Sequence, residues 1–340
     1  MKVLVTGGTG FVGSHLVEQL IAEGTAVRAL SRPTSDHAFI QSLGAEIAFG
    51  DLDAPQSLRN ACAGCDVVYH CAARVEIVGS EEDFHRTTVA GTQSLLEAAI
   101  QAQVRRFVLV SSCGVYHPSL LAAGRTLDES TPSPEPPRWF PYARAKYHAE
   151  QIVRRQAAPP MEWVIVRLGY VYGPRNRTMR SYLEPVMRDD IMMIIGDGSN
   201  EMALVFVEDA ARAILLAGRC PGAAGKVLIA GGNETVTQKE YFDAMADGFG
   251  IPRVTKRVPY RVAYWFGWLG EWLVRKGPRA AVMRRSAIAL TGLPQRLRCD
   301  TTQNLLGWKP QVPFTDGIRR AFDWYRAEYP PAQSTASSRC

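Results

Sequence analysis

The 340-residue chain lacks the features that would place it in several large classes of protein. It has no run of about 18 apolar residues, so no segment reads as a membrane span. No block of five or more basic residues stands out, and the net charge of +6 reads as a mildly basic surface. A polyanion reader needs a clustered stripe or a known module, so nucleic acid is not an expected partner. Cysteine is sparse and oddly placed, at 62, 65, 71, 113, 220, 299 and 340, with one C-x-x-C at Cys62 and Cys65. A lone pair of that kind, without a second at metal-finger spacing, predicts no metal site; reduced, buried thiols in a cytoplasmic protein are the expectation. With the glycine-rich stretch beginning at Gly7, no secretory signal is expected ahead of it. No internal repeat is present.

What is there is ordinary globular composition, 46% hydrophobic and 21% charged, with a strong pattern in its first half. Short β-rich runs, "MKVLVT", "AVRALS", "AEIAFG", "DVVYHCA", "RFVLVSS" and "EWVIVRLG", alternate with helical stretches, the first of which should stop at Gly24. Alternation of this kind predicts an α/β chain with a doubly wound parallel sheet, and the continuous apolar character of the strands fits a sheet covered on both faces. After Gly173-Pro174 the pattern weakens. Residues 1–173 are expected to form the sheet domain, with elements returning to it from about 204–218. Residues 174–328 are expected to form mostly a smaller mixed cap, one that includes "KVLIAGG", and 329–340, rich in Pro, Ser and Ala, a disordered tail.

The stretch "VTGGTGFVGSHLVEQL" sets Gly7, Gly10 and Gly13 between the first strand and the first helix. A strand, a glycine turn and a helix form the Rossmann dinucleotide site: one glycine for the turn, one for close approach of a pyrophosphate, one for helix–sheet packing. The spacing is G-x-x-G-x-x-G, and Phe11 and Val12 fall at the helix start beside the expected cofactor. An acid at the end of the second strand would bind the free ribose of NAD. The chain instead has Ser31 and Arg32 there, so NADP is favoured over NAD, with Arg32 as partner of a 2′-phosphate and Arg28 as the weaker candidate. Arg32 as a solvated surface arginine is the competing reading. Asp51 and Leu52, closing the third strand, are placed to meet the adenine.

"PYARAKYHAE" carries Tyr142 and Lys146 four apart, one turn from each other on one helix face. An ammonium beside a phenol favours the phenolate, so Lys146 is expected to lower the pKa of Tyr142 and fit it for proton transfer at a carbonyl or carbinol oxygen. Ser112, at the end of "FVLVSS", stands on the same sheet edge, where its hydroxyl can hold that oxygen.

Taken with "HCAA", "VAGT", "SSCGVY", "RLGYVYGP" and "FVEDAA" in order, these residues resemble the extended short-chain dehydrogenase/reductase family. The resemblance implies a Ser112, Tyr142 and Lys146 catalytic set, Lys146 on the nicotinamide ribose, Ala72 and Ala73 beside the cofactor, and commonly a homodimer. Thr88 replaces the family's usual Asn, which puts any relay role of that Asn in doubt. Tyr170 stands where nucleotide-sugar epimerases and dehydratases carry an Asn. The chain is therefore closer to the 3β-hydroxysteroid-dehydrogenase-like and dihydroflavonol-reductase-like branches, which act on secondary alcohols and ketones of bulky apolar molecules. A nucleotide-sugar epimerase or dehydratase is the alternative enzyme, and a cofactor-sensing regulator without activity is the alternative of another class.

Three further stretches call for a reading. "GDGSN", 196–200, is expected to be a substrate-side loop, and "LGWKP", near the end, a structural one. "PYRVAYWFGWLGEWLVRKGPR" sets Trp265, Trp268 and Trp272 on one face, with Arg275, Lys276 and Arg279 beyond. That helix either packs in the core, walls an apolar substrate pocket, or lies peripherally at a membrane interface.

Overall fold

The computed structural model describes residues 1–75, 79–157, 159–273 and 277–330. Seven strands, β1 (Lys2–Thr6), β2 (Ala26–Ser31), β3 (Glu46–Phe49), β4 (Val67–His70), β5 (Arg106–Ser112), β6 (Glu162–Leu168) and β7 (Lys226–Ala230), form one sheet in the order β7-β6-β5-β4-β1-β2-β3. Every neighbouring pair is parallel, with Val3 opposite Val67 and Leu109 opposite Ile165. Val3, Leu4 and Val5 are all fully buried, as expected for a strand covered on both faces. One face is covered by α1 (Phe11–Ala22) and α4 (Val207–Arg219), the other by α2 (Gly91–Gln101) and α3 (Pro141–Gln156). Helix α1 ends where the sequence predicts, Gly24 taking a left-handed φ of +73° just past it. The strand order reverses between β1 and β4, which opens a crevice at their carboxyl ends.

The return to the sheet is longer than expected. "KVLIAGG" is not part of the cap: its strand is β7, the sheet's edge beside β6, so residues 204–230 and not only 204–218 belong with the sheet. Leu228 and Ile229 are fully buried, and the outward N–H of Ile229 donates to Thr302 Oγ1 at 2.8 Å, which blunts the open edge. The cap contains α5 (Tyr260–Leu273), α6 (Arg285–Gly292), α7 (Phe314–Glu328) and short ladders such as Glu201–Met202 with Val236–Thr237.

The "LGWKP" stretch is structural, as read. Trp308 is buried and donates to the Asp209 carbonyl at 3.0 Å, while the Asp209 carboxylate accepts the N–H groups of Gln311 and Val312 at 3.0 and 3.1 Å. Order persists past 328, because the Tyr329 ring sits 5.2 Å from that of Tyr325. Residues 331–340 lie outside the described ones. Among the described residues no helix is long and apolar enough to cross a membrane.

Candidate active site

At the end of β1, Gly7 has φ +69°, and a Cβ there would lie 2.7 Å from the Ala72 nitrogen. A Cβ at Gly13 would lie 2.1 Å from the Gly7 carbonyl oxygen, so α1 meets the turn at backbone distance. Gly10 is the N-cap of α1; no side chain caps it and no acid stands in the first turn. The leading N–H groups of the helix, at Phe11 and Val12, therefore face the crevice as an anion cradle. The residues fit a dinucleotide.

Beneath the turn, His70 ties β4 to its neighbours: Nδ1 is 2.7 Å from Thr6 Oγ1 and Nε2 is 3.0 Å from Thr92 Oγ1. Burial lowers its pKa to about 3, so the ring is neutral. Thr88 lies in the π-helical turn His85–Ala90, its hydroxyl accepting the Arg74 N–H at 3.1 Å. The hydroxyl that replaces the expected amide thus holds the loop after β4.

Pro141 starts α3, a position where its missing N–H costs nothing. The helix then presents Tyr142, Lys146 and Glu150 on one face at four-residue intervals. Tyr142 and Ser112 line the same cavity, and Ser112 Oγ accepts the Gly114 N–H at 3.0 Å. Lys146 is buried and its Nζ donates to the Val110 carbonyl at 2.7 Å. All three expected residues are brought together, but the expected electrostatics are not what the structure shows. Burial raises the Tyr142 phenol above its usual value, with the Ser112 hydroxyl acting in the opposite direction. Lys146 is turned to Val110 and is itself lowered to about 8 by burial.

Glu150 went unread in the sequence although it continues the Tyr-x-x-x-Lys spacing by one turn. Fully buried, it accepts Ser111 Oγ at 2.7 Å and Arg167 Nε and Nη2 at 2.9 and 2.7 Å. Arg167 in turn lies 4.8 Å over the Tyr116 ring. This cluster pins α3 to β5 and β6 directly below the candidate catalytic side chains.

The glycine turn and the Ser112, Tyr142 and Lys146 group open into one cavity of about 800 Å³. Ala72, Ala73, Phe11 and Val12 line its cofactor end; Tyr170, Met192, Ile195, Met202 and Phe266 wall the other. Tyr170 stands edge-on to Tyr241, ring centres 5.7 Å apart. Residues 196–200 do not form the expected substrate-side loop. They make a turn, with Gly196 and Gly198 at φ +75° and +83° and Asn200 Nδ2 donating to the Thr291 carbonyl at 2.5 Å, while Ile195 and Met202 on either side meet the cavity.

At the adenosine end, Arg32 is exposed past β2. Asp36, the nearest downstream acid, pairs with Arg177 at 3.3 Å. Arg28 is not a phosphate ligand, because its guanidinium is spent on Glu46 at 2.7 Å and on the Ala61 and Ala63 carbonyls at 2.9 and 2.8 Å. The Asp51 carboxylate accepts the Leu52 N–H at 2.7 Å, and buried Leu52 packs on Gly91. Cys62 and Cys65 are free and buried, the first raised to about 12 by burial. Core packing does not describe the tryptophans of α5: Trp265, Trp268 and Trp272 are exposed. Arg275 and Lys276 lie outside the described residues.

Residues 3–231 match the NAD dependent epimerase/dehydratase family. The 4-hydroxy-2-methyl-3-oxo-4-farnesyl-3,4-dihydroquinoline-1-oxide ketoreductase of Stigmatella aurantiaca is 32% identical over 324 residues, covering 94% of this chain and 95% of that protein. The 2-alkyl-3-oxoalkanoate reductase of Stenotrophomonas maltophilia (strain K279a) is 31% identical over 327 residues, 94% and 98% of the two chains. The structure of MoeE5 in complex with UDP-glucose and NAD is similar with a TM-score of 0.73 at 25% identity, covering 96% of this chain and 99% of that one.

Proposed function

The chain belongs to the NAD dependent epimerase/dehydratase family, and from that premise we propose that it is a nicotinamide-dependent oxidoreductase acting on a ketone, or the matching secondary alcohol, of a bulky hydrophobic molecule. One observation carries this reading: a single cavity runs from the glycine turn past Ser112, Tyr142 and Lys146 into a wall of methionines, aliphatics and aromatic rings. The names of the two reductases above share a 3-oxo group on an alkyl or farnesyl-bearing skeleton, and a 3-oxo compound with a long apolar substituent is the substrate class we favour.

The Gly7 to Gly13 turn and the N–H groups of α1 would hold the pyrophosphate, Ala72 and Ala73 would flank the cofactor, and Lys146 would hold the nicotinamide ribose. Bound there, the nicotinamide supplies or accepts the hydride. Ser112 Oγ positions the substrate oxygen by hydrogen bonding, and Tyr142 gives that oxygen its proton. At neutral pH the Tyr142 phenol is protonated and so holds the proton that reduction of a ketone needs; the reverse reaction needs it to take a proton back. The Glu150–Arg167 pair fixes the helix that carries both side chains. Exposed Arg32, with no carboxylate at Ser31 or Arg32, supports NADP over NAD.

A nucleotide-sugar reading draws on the UDP-glucose complex of MoeE5. Tyr170 edge-on to Tyr241 opposes it, since aromatic edges stand where that branch places an amide for the phosphate. The test is turnover of purified protein with NADPH and NADH against long-chain 3-oxo esters, bulky cyclic ketones and UDP-glucose. Ketone reduction, with kcat lowered about 10²–10⁴-fold in Tyr142→Phe, is the expected result. Conversion of UDP-glucose without net nicotinamide turnover, and silence on every ketone, would overturn it.

A further inference from the structure

Helix α5 packs by its smallest residues. Ala263, Gly267 and Gly270 are its buried positions. A Cβ at Gly267 would lie 2.5 Å from Ile288 Cδ1, and one at Gly270 would lie 2.5 Å from the Met283 carbonyl oxygen. The helix backbone is thus pressed against α6 and the segment before it, and the large side chains go outward. Trp265, Trp268 and Trp272 are 55%, 56% and 72% exposed, with Phe266 at 50% and Leu273 at 60% beside them. The helix's one acid, Glu271, is turned away from this face: Arg285 donates to it from Nη2 at 2.6 Å and from its backbone N–H at 3.0 Å. The outer face from Val262 to Leu273 therefore carries no charge. Exposed aromatic patches of this kind mark interaction sites.

Charge around the patch says what it meets. Residues 251–290 contain nine Lys and Arg and a single Glu, a net +8 in a chain whose total is +6, so the other 300 residues sum to −2. The positive excess of the sequence is thus concentrated in the segment that contains α5, although no run of consecutive basic residues announces it. Lys256 and Arg279 pair with Asp190 and Asp189, while exposed Arg257 and Arg261, the latter in the first turn of α5 itself, form no ion pair among the described residues. Two copies joined through this face would bring two such segments together. A surface of negative charge with an apolar interior would not oppose it.

We propose that this face docks on an anionic lipid bilayer, with the indoles of Trp265, Trp268 and Trp272 at the headgroup boundary and the surrounding arginines and lysines on the lipid phosphates. The 14 residues of α5 lie along the surface, too few for a span of about 20. Docking also locates the way in for substrate: Ala263, Phe266 and Gly267 line the cavity, and Phe266 is half exposed on the outer side, so the docking helix is also a wall of the site. This second part rests on the reading of the cavity as an apolar substrate site; the docking itself does not.

Co-sedimentation tests it, using the full chain with vesicles of phosphatidylcholine alone and with one third phosphatidylglycerol. The wild type is expected to partition at least about tenfold better onto the anionic vesicles, and 0.5 M NaCl to erase most of that difference. Trp265→Gln/Trp268→Gln/Trp272→Gln should lose at least about tenfold in partition and keep turnover of a water-soluble short-chain ketone, since none of the three side chains lines the cavity. As a second variant, Arg257→Glu/Arg261→Glu leaves the aromatics intact and should lose about tenfold on anionic vesicles only. Failure of the wild type to bind either vesicle, or binding of anionic vesicles by either variant equal to that of the wild type, would overturn the proposal. So would light scattering that shows a dimer split by the tryptophan substitutions in a protein that ignores vesicles. Loss of ketone turnover in the wild type would count against the catalytic reading and leave the docking result standing.

Discussion

Replacing Lys146 with methionine should make the cofactor-free protein more stable and abolish its activity. The buried ammonium is disfavoured by desolvation, which lowers its pKa from the ordinary 10.5 to about 8, on the order of 3 kcal/mol against the charged form. Methionine has similar length and no charge. It forfeits the 2.7 Å hydrogen bond from the ammonium to the Val110 carbonyl, about 2 kcal/mol for a charged donor, so the variant should gain about 1 kcal/mol at pH 7. The pH dependence follows from the direction of the shift. Below about pH 8 the lysine is charged in both folded and unfolded chains, and the whole penalty acts on the folded one. Between about 8 and 10.5 the folded chain releases the proton while the unfolded chain keeps it, so wild-type stability rises relative to the variant with pH. Above 10.5 the penalty is gone and only the lost hydrogen bond separates the two. Urea unfolding at pH 7 and at pH 10, without nicotinamide, measures the difference directly. A variant less stable at pH 7, or a difference equal at both pH values, would refute the reasoning. Turnover should fall by at least about 100-fold if Lys146 positions ribose and tyrosine together.

Three other substitutions probe separate parts of the site. Gly13→Ala places a methyl 2.1 Å from the Gly7 carbonyl oxygen and should remove nicotinamide binding in a fluorescence titration; unchanged affinity would mean that α1 can move off the turn. Arg167→Met strands the Glu150 carboxylate in the core and should cost about 3–5 kcal/mol of stability by urea midpoint, most of it regained in Glu150→Leu/Arg167→Met. If the double variant is no better than the single one, burial of an unpaired charge is not the cause. Arg32→Glu should shift the ratio of kcat/KM for NADPH over NADH at least about tenfold toward NADH by removing one charge-assisted contact. An unchanged ratio would assign the 2′-phosphate to another group.

Local features of the chain were the legible ones. Gly7, Gly10 and Gly13, or Tyr142 and Lys146, sit within a few residues of each other on one turn or helix face, so spacing alone brings them together. The strands β1, β4, β5 and β6 show as Val-rich apolar runs because burial on both faces admits little else. Features that depend on distant partners were hidden. Arg28 looked available until Glu46 and the carbonyls of Ala61 and Ala63, folded in from well down the chain, took its donors. The "KVLIAGG" run is too short to announce whether it joins a large sheet or a small ladder. The tryptophans of α5 do have helical spacing, but spacing defines a stripe and not its direction. The opposite stripe of Ala263, Gly267 and Gly270 decides that, because only a nearly bare backbone fits against Met283 and Ile288. Glu150 was missed for a related reason, since a carboxylate four residues after a lysine on a helix usually serves a solvated pair, and only the fold reveals Arg167 across from it.

The position of β7 bears on how such a protein is made and altered. As the chain leaves the ribosome, β6 is complete by residue 168, yet its outer edge, with Val164, Ile165 and Val166 wholly buried in the finished protein, waits for residues 226–230. A fragment cut at Gly173 would carry that apolar edge uncovered and prone to pair with other chains. Grafting a foreign cap after residue 173 would meet the same defect, so exchange of substrate specificity between relatives has to proceed by replacing the interleaved pieces 174–203 and 231–330 while leaving 204–230 in place.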